Sequence, residues 1–217
     1  MIIGILKEKQ KYESRVSAMP ETIKKLIKAE HSVIIEKGAG NKSFISDSDY
    51  KNAGANIVES DNDIYNKSDI ILKVNPLDND ELEKIKDGST LISFFQIKDE
   101  IKNIPQYINK KISILSMSHV PRTTLAQNMD ALSSQSNIAG YKATIIGADH
   151  ISKYMPLLMT AAGTIKPAKV LILGAGVAGL AAIANAKRMG AQVYAFDVRP
   201  VVKEQVESLG AKFIEVE

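Results

Sequence analysis

The sequence predicts an α/β fold with two Rossmann-like parallel-sheet domains joined by a long helix. Aliphatic runs alternate with helix-like segments along most of the chain, which is typical of βαβ units. Between residues 170 and 183, an aliphatic run is followed by glycines with the spacing G-x-G-x-x-G and an alanine-rich helix pattern. A long helical pattern runs from about residue 125 to 153. We therefore expect an N-terminal domain at 1–137 and an incomplete dinucleotide-binding domain at 138–217.

The first domain is expected to contain six short strands with helices between them. Each predicted strand is a short aliphatic run bounded by turn-forming or charged residues. Pro20 is placed to open the first helix, where its missing N–H costs nothing. The predicted strands are 1–6, 32–36, 56–59, 69–74, 89–95 and 111–117. The predicted helices begin at Pro20 and span 47–53, 61–67, 78–86 and 99–109, the last interrupted by Pro105.

The second domain is expected to be the first half of a dinucleotide-binding fold. Residues 154–168 contain two prolines and a glycine and are predicted to be a linker. The buried strand that follows leads into the glycine turn, a helix, a second strand at 192–197, a helix to residue 209 and the start of a third strand. The fold needs two βαβαβ halves. We therefore expect a fragment or one piece of a split protein, poorly soluble alone because a sheet edge and face are open.

Composition excludes several classes of function. The net charge of the 217 residues is only +3 and the lysines are scattered, so nucleic-acid binding is not expected. There are no cysteines, and the three histidines lie far apart, so no metal site is expected. No apolar run approaches the roughly 18–20 residues that span a bilayer, and the first residues do not form a signal peptide. We expect the chain to act in water without inserting into a membrane.

The strand, glycine turn and helix predict a site for the phosphates of a dinucleotide. Gly174 is expected to allow the tight turn, Gly176 to let the backbone approach a pyrophosphate, and Gly179 to let the helix pack closely on the strand. The helix then begins at Val177 and Ala178, whose N–H groups and positive dipole end face the phosphates. Because strand, turn, helix, second strand and acid occur in order, the motif is far more specific than a lone glycine triplet.

An acid at the end of the second predicted strand indicates which dinucleotide binds. Asp197 lies about 20 residues beyond the glycines, where the motif places a carboxylate that accepts hydrogen bonds from the ribose hydroxyls. A carboxylate there repels a 2′-phosphate, so NAD is favoured over NADP. Arg199, two residues further on, is a further candidate cofactor-binding residue, and its positive charge weakens the preference for NAD over NADP.

A polar run from Arg122 to Asn137 is the second candidate site. Gln127, Asp130 and Ser134 fall at i, i+3 and i+7, which is one face of a helix. Amide, carboxylate and hydroxyl groups hydrogen-bond a carboxamide and a ribose. They suit the positioning of a cofactor for hydride transfer, which depends on geometry and dry packing. A polar helix N-terminus in solvent explains the same pattern equally well.

Arg15, Lys73 and His119 are further candidates. Open α/β sheets bind ligands at the ends of strands and in the loops that follow. Lys73 is at the end of a predicted strand, and Arg15 lies in the loop after the first one. Lys73 is equally compatible with an ordinary surface lysine. His119 lies in the loop before Pro121 and is the only histidine with a candidate position.

The chain resembles the alanine dehydrogenase/transhydrogenase family along nearly its whole length. Within the family it is most similar to the NAD-binding domain of the alpha subunits of proton-translocating NAD(P) transhydrogenases. In that family the NAD-binding domain continues well past residue 217, and the missing part completes the nicotinamide half of the site. The segments that carry the resemblance are 13–20 (ESRVSAMP), 71–77 (ILKVNPL), 120–143, 159–164 (MTAAGT) and 174–205.

The resemblance implies a function that the residue pattern alone does not. The resemblance matches the segment that holds the nicotinamide of NAD to Arg122, Gln127, Asp130 and Ser133. It places Gln127 between the two nicotinamide rings. Asn137 is a further expected cofactor-binding residue. The family transfers a hydride from NADH to NADP that a beta-subunit domain holds, and membrane domains couple the transfer to proton movement. The resemblance also implies a homodimer on the cytoplasmic side of the inner membrane, or on the matrix side in mitochondria, attached through partner subunits.

Alanine dehydrogenase is the nearest alternative. The resemblance assigns Arg15 and Lys73 to the substrate carboxylate and keto oxygen there, but it also requires a histidine acid/base within 93–98. This chain has Gln96, which cannot shuttle a proton, whereas hydride exchange between two nicotinamides needs no acid/base. A non-catalytic fragment is a further alternative, because only one half of the dinucleotide fold is present.

Overall fold

The computed structural model describes residues 1–216, which form two compact units divided between Met129 and Asp130. Position 137/138, where the sequence places the domain boundary, lies inside a continuous helix, α7 (Ala131–His150). This helix packs along a helix of the second unit, which is why it belongs there from its first residue. The long helix that was expected to join the two domains is therefore, as α7, part of the second unit.

The first unit is built on a six-stranded parallel sheet. Its strands are β1 (Ile2–Ile5), β2 (Ser32–Glu36), β3 (Asn56–Val58), β4 (Ile70–Leu72), β5 (Thr90–Ser93) and β6 (Ser113–Ser116). The strand order is β3-β2-β1-β4-β5-β6, and every neighbouring pair is parallel. The order reverses at β1 and β4, so the loops after these two strands flank the crevice where such sheets bind ligands. The predicted parallel sheet is confirmed.

The helices of the first unit begin where local chemistry allows. They are α1 (Pro20–Lys28), α2 (Asp47–Asn52), α3 (Asp61–Lys67), α4 (Asn79–Lys84), α5 (Ile97–Glu100) and α6 (Ile104–Asn109). Asp78 caps α4 through a reciprocal pair of hydrogen bonds with Glu81, which satisfies N–H groups at the helix start. The helix predicted at 99–109, with an interruption at Pro105, is two helices, α5 and α6, and the break between them falls before Pro105. Pro105 lies in the first turn of α6, because a proline cannot continue a preceding helix.

Apolar side chains cover both faces of this sheet. Ile70 and Leu72 pack against one buried cluster, which contains Tyr50, whereas Ile71 between them belongs to a second cluster with Tyr65. Successive side chains of a strand point to opposite faces, so the two clusters lie on opposite sides of the sheet. Coverage of both faces is the arrangement that a parallel sheet requires.

The second unit contains the predicted βαβαβ half. After α7 its elements are β7 (Leu158–Thr160), β8 (Gly163–Ile165), β9 (Lys169–Leu173), α8 (Val177–Arg188), β10 (Gln192–Phe196), α9 (Lys203–Ser208) and β11 (Lys212–Phe213). Strands β9, β10 and β11 form a parallel sheet in the order β11-β10-β9. The strand that carries the glycine turn is therefore paired with the strand that ends at the acid, as the sequence predicted.

The helix predicted at 125–153 begins later than expected. Residues Thr124–Met129 form a 3₁₀ helix, and Asp130 is the N-cap of α7. Its carboxylate Oδ1 accepts the N–H of Ser133 at 2.9 Å, which is the contact by which an aspartate starts an α-helix. The prediction that Gln127, Asp130 and Ser134 share one helix face is therefore wrong.

The segment predicted to be a linker contains a β-hairpin. Strands β7 and β8 pair antiparallel within 154–168. All six of their residues are exposed, so no buried face leaves an alternating apolar pattern in the sequence. The prolines and the glycine are therefore the only features of this segment that indicate its structure in the sequence, and they indicate a loop.

Strand β9 is covered on one face only, although its aliphatic sequence predicts a strand that is buried on both faces. Val170 and Ile172 pack against the core of the second unit, while Leu171 and Leu173 are 56% and 75% exposed. Because side chains alternate along a strand, one face of β9 is covered and the other is open within residues 1–216.

Helices α7 and α8 approach closely because both present small residues. Gly140 is buried on α7, and a Cβ atom built on it would overlap the carbonyl oxygen of Ala178 on α8. The hydroxyl of Thr144, one turn further on, shares its single hydrogen between the carbonyls of Gly140 at 3.0 Å and Ala182 at 3.3 Å. The small residues of α7 therefore admit a neighbouring backbone.

None of the helices in the described part of the chain combines the length and the apolar character needed to cross a membrane.

Replacement of Gly140 by alanine should destabilise the second unit, because the added methyl group forces α7 and α8 apart. We expect the free energy of unfolding to fall by about 1–3 kcal/mol, the usual cost of overpacking. Urea denaturation followed by circular dichroism measures the change. Gly147→Ala is the matched control, since its Cβ meets nothing within 4 Å on the same helix and should stabilise by up to about 1 kcal/mol. Equal effects of the two substitutions would contradict this account.

Candidate functional site

The three glycines after β9 have three different local geometries. Gly174 has a φ of +93°, which only glycine adopts readily, and it turns the chain out of the strand. A Cβ built on Gly174 or Gly176 meets nothing within 4 Å, so the space beside the turn is open. A Cβ on Gly179 would overlap the carbonyl oxygen of Gly174, so this glycine lets α8 sit close to the strand. The turn thus has room for a phosphate group, and phosphate binding stays a prediction.

Helix α8 starts directly beside this open space. Its N-cap is Gly176, which has no side chain to cap the helix, and Val177 and Ala178 are its first residues. The N–H groups of a first turn have no partners inside the helix and carry the positive end of the helix dipole. The residues present therefore fit an anionic ligand, and no side chain of the turn would obstruct it.

Asp197 links the end of β10 to the glycine turn. Its side chain is only 7% exposed. Its Oδ2 accepts the N–H of Ala175 at 2.7 Å, and its Oδ1 accepts the N–H of Arg199 at 2.9 Å. The backbone thus fixes both carboxylate oxygens next to the turn, which is where the sequence motif predicted the acid.

The guanidinium of Arg199 folds back on the same carboxylate. Its Nε donates to Oδ1 of Asp197 at 3.0 Å and its Nη2 to Oδ2 at 3.1 Å. These side-chain hydrogen bonds, followed by the backbone N–H groups of Arg199 and Ala175, hold the pKa of Asp197 far below its usual range. Asp197 is therefore an anion at every physiological pH. Arg199 itself is 57% exposed.

The structure divides the candidate nicotinamide-positioning residues between the two units. Arg122 and Gln127 are exposed and belong to the first unit, while Asp130, Ser133 and Asn137 belong to the second. Asp130 and Ser133 are brought together, because the Ser133 hydroxyl donates to Oδ2 of Asp130 at 2.6 Å. Asp130 therefore has a structural role as a helix cap that the sequence pattern did not identify, and its role towards a cofactor stays a prediction.

Lys73 is a buried ion-pair residue, so its interpretation as a surface lysine is wrong. It is 5% exposed, and its Nζ contacts Oε2 of the fully buried Glu81 at 2.6 Å. Tyr65 donates to Oε1 of Glu81 at 3.1 Å, and Lys9 contacts the same oxygen at 3.2 Å. Burial raises the pKa of Glu81, but the hydrogen bond and charge of Lys73 outweigh that effect and hold it below the ordinary value. The sequence does not reveal this network, because Lys9 joins it from the loop after β1 and the strand pattern around Lys73 gives no sign of an ion pair with Glu81.

Arg15 lies in the loop after β1 and pairs with a nearby glutamate. Its Nε and Nη2 donate to the two oxygens of Glu13 at 2.8 and 2.7 Å. These bonds lower the pKa of Glu13 to about 2. The guanidinium also lies 5.7 Å from the centre of the Phe94 ring, within the range of a cation–π contact.

A second glutamate joins the loops at the reversal of strand order. The side chain of Glu8 is buried and accepts the N–H of Val74 at 2.6 Å and the amide Nδ2 of Asn75 at 3.0 Å. Asn75 also donates to Glu13 at 3.1 Å. Sequence reasoning missed these acids. The only available signal was their position in the loop directly after the first strand.

His119 contacts a serine hydroxyl at the end of β6. The Ser116 hydroxyl lies 2.9 Å from Nδ1 of His119 and donates to the carbonyl of Phe95 at 2.6 Å. The hydroxyl thus links the imidazole to the chain that follows β5. Among residues 1–216, no three His, Asp or Glu side chains gather in a way that could hold a metal ion.

Two curated proteins, both named "NAD(P) transhydrogenase subunit alpha", resemble this chain over its full length. The chain is 45% identical to the protein of Haemophilus influenzae and spans 42% of it. It is 43% identical to the protein of Cereibacter sphaeroides and again spans 42% of it. The chain thus covers less than half the length of these two relatives.

Solved structures with the same fold cover the whole chain. A transhydrogenase from Sinorhizobium meliloti superposes with a TM-score of 0.95 at 43% identity, and the chain spans 62% of it. An L-alanine dehydrogenase superposes with a TM-score of 0.87 at 27% identity, and the chain spans 61% of it. The α/β, Rossmann-like fold predicted from the sequence is therefore confirmed.

Two family models together match nearly every residue. The model described as alanine dehydrogenase/PNT, N-terminal domain, matches residues 4–139, and the corresponding C-terminal domain model matches residues 143–217. Members of this family are nicotinamide-dinucleotide-dependent dehydrogenases and transhydrogenases, so the family supports the binding of such a cofactor. On these matches and on the glycine turn with its adjoining acid, the chain belongs to the alanine dehydrogenase/transhydrogenase family.

Proposed function

We propose that this chain is the NAD-binding portion of a proton-translocating NAD(P) transhydrogenase alpha subunit. The observation that carries the proposal is the glycine turn with the Asp197 carboxylate bonded to the N–H of Ala175 beside it. The full-length similarity to transhydrogenase alpha subunits supports the same assignment. In this proposal the whole protein is an oxidoreductase, and the chain supplies its NADH site.

The second unit binds the ADP half of NAD in this proposal. The phosphates lie beside Gly174, Gly176 and Gly179 and receive N–H groups from Val177 and Ala178 at the start of α8. The ribose hydroxyls donate to Asp197. Since the low pKa of Asp197 keeps it anionic, it repels a 2′-phosphate, and NAD is preferred to NADP.

The nicotinamide half of NAD is positioned by Arg122, Gln127, Asp130 and Ser133, with Asn137 as a further cofactor contact. Their assignment rests on the family resemblance of residues 120–143. The hydride passes from NADH to NADP held by the beta subunit, so that NADH is oxidised and NADP is reduced. No proton is exchanged with the protein in this step, so Gln96 is no obstacle.

The partners proposed are a beta-subunit NADP-binding domain, membrane domains and a second copy of this chain. Helix α7 carries exposed Ile138, Tyr141 and Ile146, and apolar groups of this kind support association with another protein surface. The chain would then work on the cytoplasmic side of the inner membrane, held there through its partner subunits.

An alanine dehydrogenase-like function is the alternative. It is supported by the position of Arg15 in the loop after β1 and by the similarity to an L-alanine dehydrogenase. Two observations count against it. Lys73, which that chemistry would require at the substrate, is bound by Glu81. Gln96, at the N-cap of α5, stands where that chemistry requires a histidine.

Replacement of Asp197 by asparagine should weaken NADH binding by about ten- to hundred-fold, because charge-assisted hydrogen bonds to the ribose are lost. Isothermal titration calorimetry measures the affinity. Asp149→Asn is the matched control, since this exposed acid at the end of α7 lies outside the proposed site. An unchanged NADH affinity in Asp197→Asn would contradict the ribose assignment.

Hydride transfer should appear when the chain is mixed with the part of a transhydrogenase alpha subunit that it does not span and with a beta-subunit NADP domain. We expect NADH to reduce an NADP analogue, followed by absorbance, and Gln127→Ala to slow the reaction at least about ten-fold because the ring geometry is lost. Absence of transfer with all pieces folded would favour a non-catalytic fragment.

Pyruvate and ammonia should not be turned over with NADH by the same mixture. The reason is that imine formation needs a proton shuttle and the histidine that would provide it is Gln96 here. An absorbance assay of NADH consumption tests this. Steady turnover of pyruvate and ammonia would favour the alanine dehydrogenase-like function over the transhydrogenase function.

A further inference from the structure

We infer that Arg199 occupies the position of the adenosine ribose at Asp197, so that a dinucleotide binds only when the Arg199 guanidinium leaves. The inference rests on the proposed function, because it assumes that the ribose hydroxyls bind Asp197. It makes Arg199 a positioning residue that competes with the ligand for Asp197.

The hydrogen-bonding capacity of Asp197 is full in the structure. An ionised carboxylate has about four lone-pair positions, two on each oxygen. Oδ1 accepts the backbone N–H and the Nε–H of Arg199, and Oδ2 accepts the N–H of Ala175 and an Nη2–H of Arg199. A ribose hydroxyl therefore has no vacant acceptor position at this carboxylate until one of these donors departs.

The four donors differ in how easily they can depart. Two are backbone N–H groups, of Ala175 and Arg199, which are fixed by the glycine turn and by the end of β10. The other two belong to a single guanidinium on a side chain that is 57% exposed. Solvent reaches this side chain and salt screens its charge, whereas the backbone N–H groups cannot leave without moving the chain, so the guanidinium is the donor that a ligand displaces.

The positions vacated by the guanidinium match a ribose diol. Departure of Nε and Nη2 frees one acceptor position on each carboxylate oxygen. The adjacent 2′ and 3′ hydroxyls of an adenosine ribose supply two donors on neighbouring carbons. Both backbone bonds remain when the side chain turns away, so Asp197 stays anchored to the turn throughout the exchange.

The competition between Arg199 and the ribose is measured with adenosine. This ligand has the ribose but no phosphate group that an arginine could bind directly. We expect Arg199→Ala to bind adenosine about two- to five-fold more tightly than the unchanged chain, the range typical of losing one exposed ion pair. Binding of 2′,3′-dideoxyadenosine should not improve, because it has no hydroxyls to place on Asp197. Arg188→Ala, which removes an equal charge at the far end of α8, should leave both affinities unchanged.

Salt provides a second readout that a purely structural role would not move. Raising the ionic strength screens the Arg199–Asp197 pair, so the unchanged chain should bind adenosine more tightly at high salt. Arg199→Ala should show no such dependence.

Equal or weaker adenosine binding by Arg199→Ala, together with weakened adenosine binding by Asp197→Asn, would overturn the competition and leave the proposed function intact. If neither adenosine nor NADH binds the unchanged chain or the variants, the ADP site itself is wrong, and the inference falls with it.

Discussion

The hydrogen bond from the Ala175 N–H to Asp197 is the contact on which the candidate site depends. It joins the end of one strand to the turn after its neighbour, so the position of the acid and the shape of the turn are not independent. Because backbone donors already fix the carboxylate, only the Arg199 guanidinium has to move before a ligand can bind there. The guanidinium of Arg199, two residues further along the chain, pairs with this fixed anion.

In the first unit, the polar and charged groups at the strand ends bind one another, unlike the turn of the second unit. Lys73 binds Glu81 in this way, and Glu8 binds Asn75. A buried pair of this kind is costly to break because one partner would remain as an uncompensated charge. The crevice between β1 and β4 is therefore held together by its own side chains, while the glycine turn of the second unit stays open.

Sequence reasoning succeeded where local chemistry dictates structure. The parallel sheet and the strand–turn–helix around Gly174 follow from apolar periodicity and from backbone freedom at glycine, and both are present. It failed where side-chain contacts decide the structure without leaving an apolar pattern. Lys73 is buried because it pairs with Glu81 on α4, the exposed β7–β8 hairpin has no apolar alternation, and the capping bond from the Ser133 N–H to Asp130 moved the start of α7.

The central claim is that NADH places its ADP half on the glycine turn and Asp197. The most direct measurement is an NMR titration of the ¹⁵N-labelled chain with NADH. The account predicts saturable shifts of the amide signals of Ala175, Gly176, Val177 and Arg199. Shifts confined to the first unit, with these four signals unmoved, would contradict it.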